Sequence, residues 1–265
     1  MRILLILSKD LLKAMPLPQI NIFGLAGLPE IAAGDDLSSL ISQAALDVGL
    51  EIIAGDVLVI AQKVVSKSEG RVVQLDSVTP SPIAREWAES YKKDARIVEV
   101  VLNESRRIVR MDRGVLICET RHGFVCANAG VDASNVAEGW VVLLPEDPDR
   151  SAQRIREGIE RASGQRVAVI ISDTFGRPWR EGLVNVAIGV SGLAPLIDYR
   201  GQTDSHGRPL QVTVIAAADE IASAAELVMK KSAGIPVAIV RGLLIESAER
   251  SGRDLIRAPE QDIFR

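Results

Sequence analysis

Asp173 and Thr174 stand where an apolar run gives way to a polar one. The stretch Arg166–Gly182 reads RVAVIISDTFGRPWREG, with Val167 to Ile171 all apolar and mostly β-branched. Ser172-Asp173-Thr174, Gly176 and Arg177-Pro178-Trp179-Arg180-Glu181 follow. A carboxylate and a hydroxyl suit a hard cation such as Mg²⁺, and guanidinium forks suit phosphate or carboxylate. One reading of this stretch is a site that holds a cation and phosphates together. The other is a strand end capped by an Asx or ST turn, with the arginines solvated or paired to Glu181.

Two further clusters have residue types that complement the first. Asn128-Ala129-Gly130-Val131-Asp132-Ala133-Ser134-Asn135-Val136 combines small residues, which admit a ligand close to the backbone, with Asp132 for a metal and Asn135 for a base or sugar. Its alternative is an Asx-rich surface turn. Lys63 and Lys67 are four residues apart after an apolar segment, so on a helix they share a face and could neutralise a polyphosphate. A solvated basic turn is the competing account.

Buried strands must position these groups. Val57–Ala61, Val167–Ile171 and Val237–Arg241 read as such strands, and Ile20–Leu25 as another. Gly34-Asp35-Asp36-Leu37 starts a helix with an aspartate as N-cap, and Pro80-Ser81-Pro82 opens another over Ile83–Lys93. Helices are also expected near Ile97–Ser105, over Ser151–Ile159 and from Asp219 to Lys230. Alternating segments at Ile108–Met111, Val115–Thr120 and Phe124–Ala127 read as strands. Val184–Leu193 is an apolar, glycine-punctuated segment, and Tyr199–Pro209 is long enough for a substrate loop or a dimer arm.

Composition excludes several classes. With 265 residues, 47% of them hydrophobic and 25% charged, the chain can bury a full core and is not disordered. A net charge of −4 and only four Phe, three Trp and two Tyr argue against nucleic-acid binding. Two histidines do not make a histidine-rich zinc site, and Cys118 and Cys126 read as buried thiols. The apolar run Ile3–Leu7 is too short to span a bilayer, and no cleavage signature follows it. The expectation is therefore a cytoplasmic protein with a loosely held N-terminal extension and no membrane partner. Neither a GxxxxGK[ST] loop nor a GxGxxG turn is present.

Taken in order, Gly27-Leu28-Pro29-Glu30-Ile31, Gly34-Asp35-Asp36-Leu37, Gly55-Asp56-Val57, Val65-Ser66-Lys67-Ser68-Glu69-Gly70, Asn128–Val136, Ser172-Asp173-Thr174-Phe175-Gly176-Arg177 and Gly234-Ile235-Pro236 form a combination far more specific than any one of them. The chain resembles the coenzyme F420-0:γ-glutamyl ligase family over Ile20 to Leu243. The resemblance implies an α+β fold with mixed sheets and flanking helices, in an intertwined homodimer. It implies residues 1–17 as an extension, 18–245 as the ligase domain and 246–265 as a charged tail. The implied activity is GTP-dependent addition of L-glutamate, and then of further γ-linked glutamates, to the lactyl-phosphate arm of F420-0. Mg²⁺ or Mn²⁺, as a pair of ions, and K⁺ are the implied cofactors.

Residue by residue, Leu28, Pro29, Glu30, Ile31, Gln62, Lys63, Lys67 and Asn135 match guanine-nucleotide positions of the family. The turn Met229, Lys230, Lys231, Ser232, Ala233, Gly234 and Ile235 does so as well. Asp132, Asp173 and Thr174 match divalent-metal positions. Arg177 and Arg180 are assigned to phosphate neutralisation from their residue type alone. One departure is visible at Lys230-Lys231, where the family often has a glycine and then a metal-ligating residue; an ammonium cannot ligate a cation. Two alternatives stand beside the ligase: a nucleotide or metal sensor without turnover, and a γ-glutamyl ligase for a folate-like acceptor.

Overall fold

Alternation along the strands decides the architecture. The computed structural model describes residues 17–244 and 246–262, so the Ile3–Leu7 run lies outside the described residues. β1 (Asn21–Leu25), β2 (Val57–Ala61), β8 (Ala168–Gly176), β9 (Leu183–Ser191) and β12 (Val237–Arg241) form one sheet in the order β1-β12-β2-β8-β9. β2 and β8 are parallel, and the other neighbours are antiparallel.

Leu58, Ile60, Val169, Ile171, Val237 and Ile239 face α1 (Leu37–Asp47) and α5 (Pro148–Ser163). Val57, Val59, Ala168, Ile170, Ala238 and Val240 face α6 (Ala217–Met229). Helices on both faces explain why these strands are apolar throughout. Each fully buried isoleucine, such as Ile60 or Ile171, contributes about 1.5–3 kcal/mol. Asp36 caps α1 through the Ser38 and Ser39 amides. α5 starts earlier than its apolar pattern suggests, because Asp147 caps it and Pro148 occupies its first turn at no hydrogen-bond cost.

A second core lies between β2 and α5 in the chain. α3 (Pro82–Tyr91) and α4 (Ala95–Glu104) share it with the sheet of β4 (Ser105–Asp112), β5 (Val115–Thr120) and β6 (Val125–Ala127), and with the pair β3 (Val72–Gln74) and β7 (Trp140–Val142). Cys118 and Cys126 face each other in register and are buried and unbridged.

One strand boundary changes. β8 does not end at Ile171: it bulges at Ile171/Ser172 and continues to Gly176, paired residue by residue with β9. The apolar Val184–Leu193 segment is therefore satisfied within the chain, between β8, α5 and α6, and does not itself require a second copy. In the charged segment after β12, Ser251 Oγ and the Gly252 amide donate to Asp149, and Glu249 pairs with Arg156. Tyr199–Pro209 closes on itself through Leu210 and a Thr203–Pro209 bridge, next to the short pair β10 (Ile197–Asp198) and β11 (Val214–Ile215). No helix among the described residues is long and apolar enough to cross a membrane.

Candidate active site

The parallel pair creates the site. Because β2 and β8 run the same way, their carboxyl ends emerge together, with Ala61 beside Ser172. α2 (Gln62–Ser68) begins where β2 stops, so Lys63 and Lys67 rise over that edge on one face. A cavity of about 720 Å³ opens there, within the range of small-molecule sites. Leu28–Ile31 and Lys67 border one part of it, Asp132, Ser134 and Asn135 another, and Ser172, Asp173, Thr174, Asn185, Glu226 and Met229–Ser232 the remainder.

Asp132 is held by its backbone, which exchanges hydrogen bonds with Val142 at 3.0 and 2.8 Å. The turn before it needs Gly130: φ is +73° there, and a Cβ would lie 2.6 Å from Leu144. Lys63 Nζ sits 2.8 Å from the Asp132 carboxylate and also donates to Ser134 Oγ. Burial alone would raise the Asp132 carboxyl, but Lys63 and the Ser134 amide and hydroxyl hold it below its ordinary value. Lys67 pairs with exposed Glu30.

Asp173 has the opposite electrostatics. Burial in the wall, with like charge from Asp132, pushes its carboxyl up to about 6, against the pull of the Thr174 amide, Lys231 and Lys63. Beside it, the buried Ser172 hydroxyl has no hydrogen-bond partner among the described residues. Thr174 Oγ1 donates to Asn185 Oδ1 at 2.7 Å, Asn185 Nδ2 donates to Glu226 Oε2 at 2.9 Å, and Lys231 Nζ reaches Thr174 Oγ1. Lys230 ends α6 at φ 52° and ψ 156°, a backbone region where glycine is at home.

The F420-0:γ-glutamyl ligase family model matches residues 27–242, which include every one of these groups. The chain belongs to this family. It is 46% identical over 249 residues to the coenzyme F420:L-glutamate ligase of Methanothermobacter thermautotrophicus, covering 93% of this chain and 99% of that protein. It is 50% identical over 241 residues to the enzyme of the same name from Methanopyrus kandleri, covering 89% of this chain and 94% of that protein. The Archaeoglobus fulgidus protein of that name is 44% identical over 248 residues, 93% and 97% of the two chains.

Of the residues that family resemblance singled out, most line one cavity. Leu28, Pro29, Glu30, Ile31, Gln62, Lys63, Lys67, Asn135, Asp132, Asp173, Thr174, Met229, Lys230, Lys231, Ser232, Gly234 and Ile235 all border the cavity, whereas Ala233 does not. Gln62 is buried, and its amide nitrogen is occupied by Leu143 O and Ser66 Oγ. Arg177 and Arg180 are not brought in. They sit at the β8–β9 hairpin tip, where Arg177 donates to the Glu181 and Gly182 carbonyls.

Sequence reasoning missed Ser134, Asn185 and Glu226. Asn185 had a signal, as the one amide in the apolar Leu183–Val190 run. Ser134 stood in the Asn128–Val136 cluster, two residues from Asp132, whereas Glu226 had no signal, because only the fold brings it to Asn185.

The donor set fits a hard cation. Two carboxylates, a threonine hydroxyl and the orphaned Ser172 hydroxyl are all oxygen, and no cluster of three or more His, Cys, Asp or Glu side chains exists among the described residues. That is too few for a protein-only cage but ordinary for Mg²⁺ or Mn²⁺, which keep waters and substrate phosphates as ligands.

Proposed function

We propose that this chain joins L-glutamate to coenzyme F420-0, and then further γ-linked glutamates, at the expense of GTP. The observation that carries the reading is the meeting of Asp132, from the segment after β6, and Asp173, from β8, in a cavity that also holds Lys63, Lys67 and Lys231. A carboxylate oxygen is a poor leaving group, so amide formation needs activation. The acceptor carboxylate attacks the γ-phosphorus, the bond to the β-phosphate oxygen breaks, and an acyl phosphate and GDP result. The glutamate nitrogen then attacks the acyl carbon, losing a proton as phosphate departs.

Bound Mg²⁺ or Mn²⁺ would neutralise and align the phosphates, with K⁺ assisting. Asp132, Asp173 and Thr174 would hold the divalent ions. Lys67 would exchange Glu30 for phosphate, and Asn135 and Leu28–Ile31 would receive the guanosine. We further propose that the enzyme acts in the cytoplasm as a homodimer.

The test is mass spectrometry of products from purified protein with GTP, Mn²⁺, glutamate and F420-0. The expected products are glutamyl adducts in step with GDP release; GDP release without an adduct, or no GDP release, overturns the proposal. Preference for a folate-like acceptor in competition would transfer it to that substrate. Lys67→Ala should weaken GTP binding about ten- to a hundred-fold, the consequence of losing one charged hydrogen bond worth roughly 1.5–3 kcal/mol. Calorimetric titration with a non-hydrolysable GTP analogue reads this directly; unchanged affinity would leave Lys67 to Glu30 alone.

A further inference from the structure

We infer that Lys231 is a tethered cation: its ammonium fills an oxygen-lined seat formed by Thr174, Asn185 and Glu226, which without that side chain would take a small hard cation. The hydrogen-bond directions support this. Asn185 is buried, and its Nδ2 donates to Glu226 Oε2, which fixes the amide so that Oδ1 faces the seat. Thr174 donates its single proton to that Oδ1, leaving a lone pair for the ammonium. The other carboxylate oxygen, Glu226 Oε1, lies 3.6 Å from Lys231 Nζ, and Asn185 Oδ1 lies 3.4 Å away. Acceptors converge on one point from β8, β9 and α6, and no donor among them faces it. This is the arrangement of a cation's first shell, with an ammonium in the place of the ion.

The chemical purpose rests on the proposed phosphate chemistry, although the seat itself stands on geometry. A fixed positive charge beside Thr174 would supply permanently what a dissociable ion supplies only at sufficient concentration. A lysine meant instead to grip phosphate would leave no cation seat when removed.

Lys231→Ala separates these accounts. It is made alone and with Asp173→Asn, which removes the neighbouring carboxylate. Mn²⁺ binding to nucleotide-free protein is followed by electron paramagnetic resonance. Melting temperature is compared in KCl and in tetramethylammonium chloride of equal ionic strength. In both backgrounds Lys231→Ala should gain a Mn²⁺ site that its parent lacks, at least ~10-fold tighter than any residual binding there, because a freed carboxylate and two neutral oxygens make a hard-cation set. Its melting temperature should respond to K⁺ where that of the parent does not. Either response supports the tethered cation, and absence of both overturns it. Wild-type protein that binds no Mn²⁺ with or without a non-hydrolysable GTP analogue, beside a Lys231→Ala protein that does, would overturn the Asp132–Asp173 cation reading while leaving the seat intact.

Discussion

Asp173→Asn should leave a protein that folds, melts at a higher temperature than wild type in metal-free buffer, and turns over almost no substrate. The stability gain follows from linkage. The Asp173 carboxyl stands at about 6 in the folded chain against an ordinary 3.8. Between those values the folded state binds the extra proton, so the contribution of Asp173 to stability is most favourable below about pH 4 and is lost as the pH rises through 6. Above pH 6 the deficit is fully present and on the order of 2–3 kcal/mol. Asn cannot ionise and removes it, which corresponds to several degrees of melting temperature at neutral pH and no gain at pH 4.

The loss of turnover should exceed about 100-fold, since disturbing merely the outer partners of a metal ligand already costs 10- to 100-fold. Asp132→Asn should lose activity similarly but not stability in the same direction, because it breaks the Lys63 ion pair. The double variant should be little worse than either single one, since both disable the same site. Melting curves from pH 4 to 7.5, with and without Mn²⁺, and GDP release per folded molecule check the set. An Asp173→Asn protein that is less stable yet normally active would mean that the carboxylate only holds a turn.

Arg241→Met should cost about 3–5 kcal/mol of stability without altering turnover per folded molecule. Asp56 is fully buried before β2, and its oxygens accept from Arg241 Nε and Nη2 at 2.8 Å each. The Ile53 amide donates to it as well, at 3.0 Å. Removing the guanidinium leaves that carboxylate with one amide and no counter-charge. The same substitution also forfeits the Glu51 carbonyl contact at 2.7 Å and the packing of the guanidinium over Phe23. Asp56→Asn combined with Arg241→Met should recover much of the loss, because an absent pair is cheaper than a broken one. The pair lies at the end of β2 and β12 away from the cavity, so urea denaturation should shift while GDP release in dilute buffer does not. Parallel losses in both would tie this end of the sheet to the chemistry.

Continuous apolar runs made β2, β8 and β12 legible in the sequence, since a strand covered on both faces has no polar side to show. Helix starts were legible where a cap stands, as at Asp36 and Ser81. The continuation of β8 through Ser172-Asp173-Thr174 was not, because those residues also form turns and only pairing with β9 holds them extended. Lys63, Lys67, Asp132 and Asp173 could be picked out by type and spacing. Their meeting place could not, since it depends on β2 and β8 lying parallel although more than 100 residues separate them in the chain. Arg177 and Arg180 illustrate the converse: residues of suitable charge and proximity in sequence sit at the hairpin tip, where the Arg177 guanidinium is spent on hairpin carbonyls.

The position of β12 between β1 and β2 has a consequence for synthesis. Asn21 pairs with Arg241 and Val57 with Val240, so β1 has no strand partner, and β2 only β8, until residues near 240 have left the ribosome. At ~5–20 residues per second, β2 waits roughly ten to forty seconds for β12. Throughout that interval Leu58 and Ile60 belong to a strand with an open edge, the kind of surface that recruits wrong partners. The last strand to be made thus closes the sheet, and protection of nascent chains by a chaperone should be needed up to its release and not beyond.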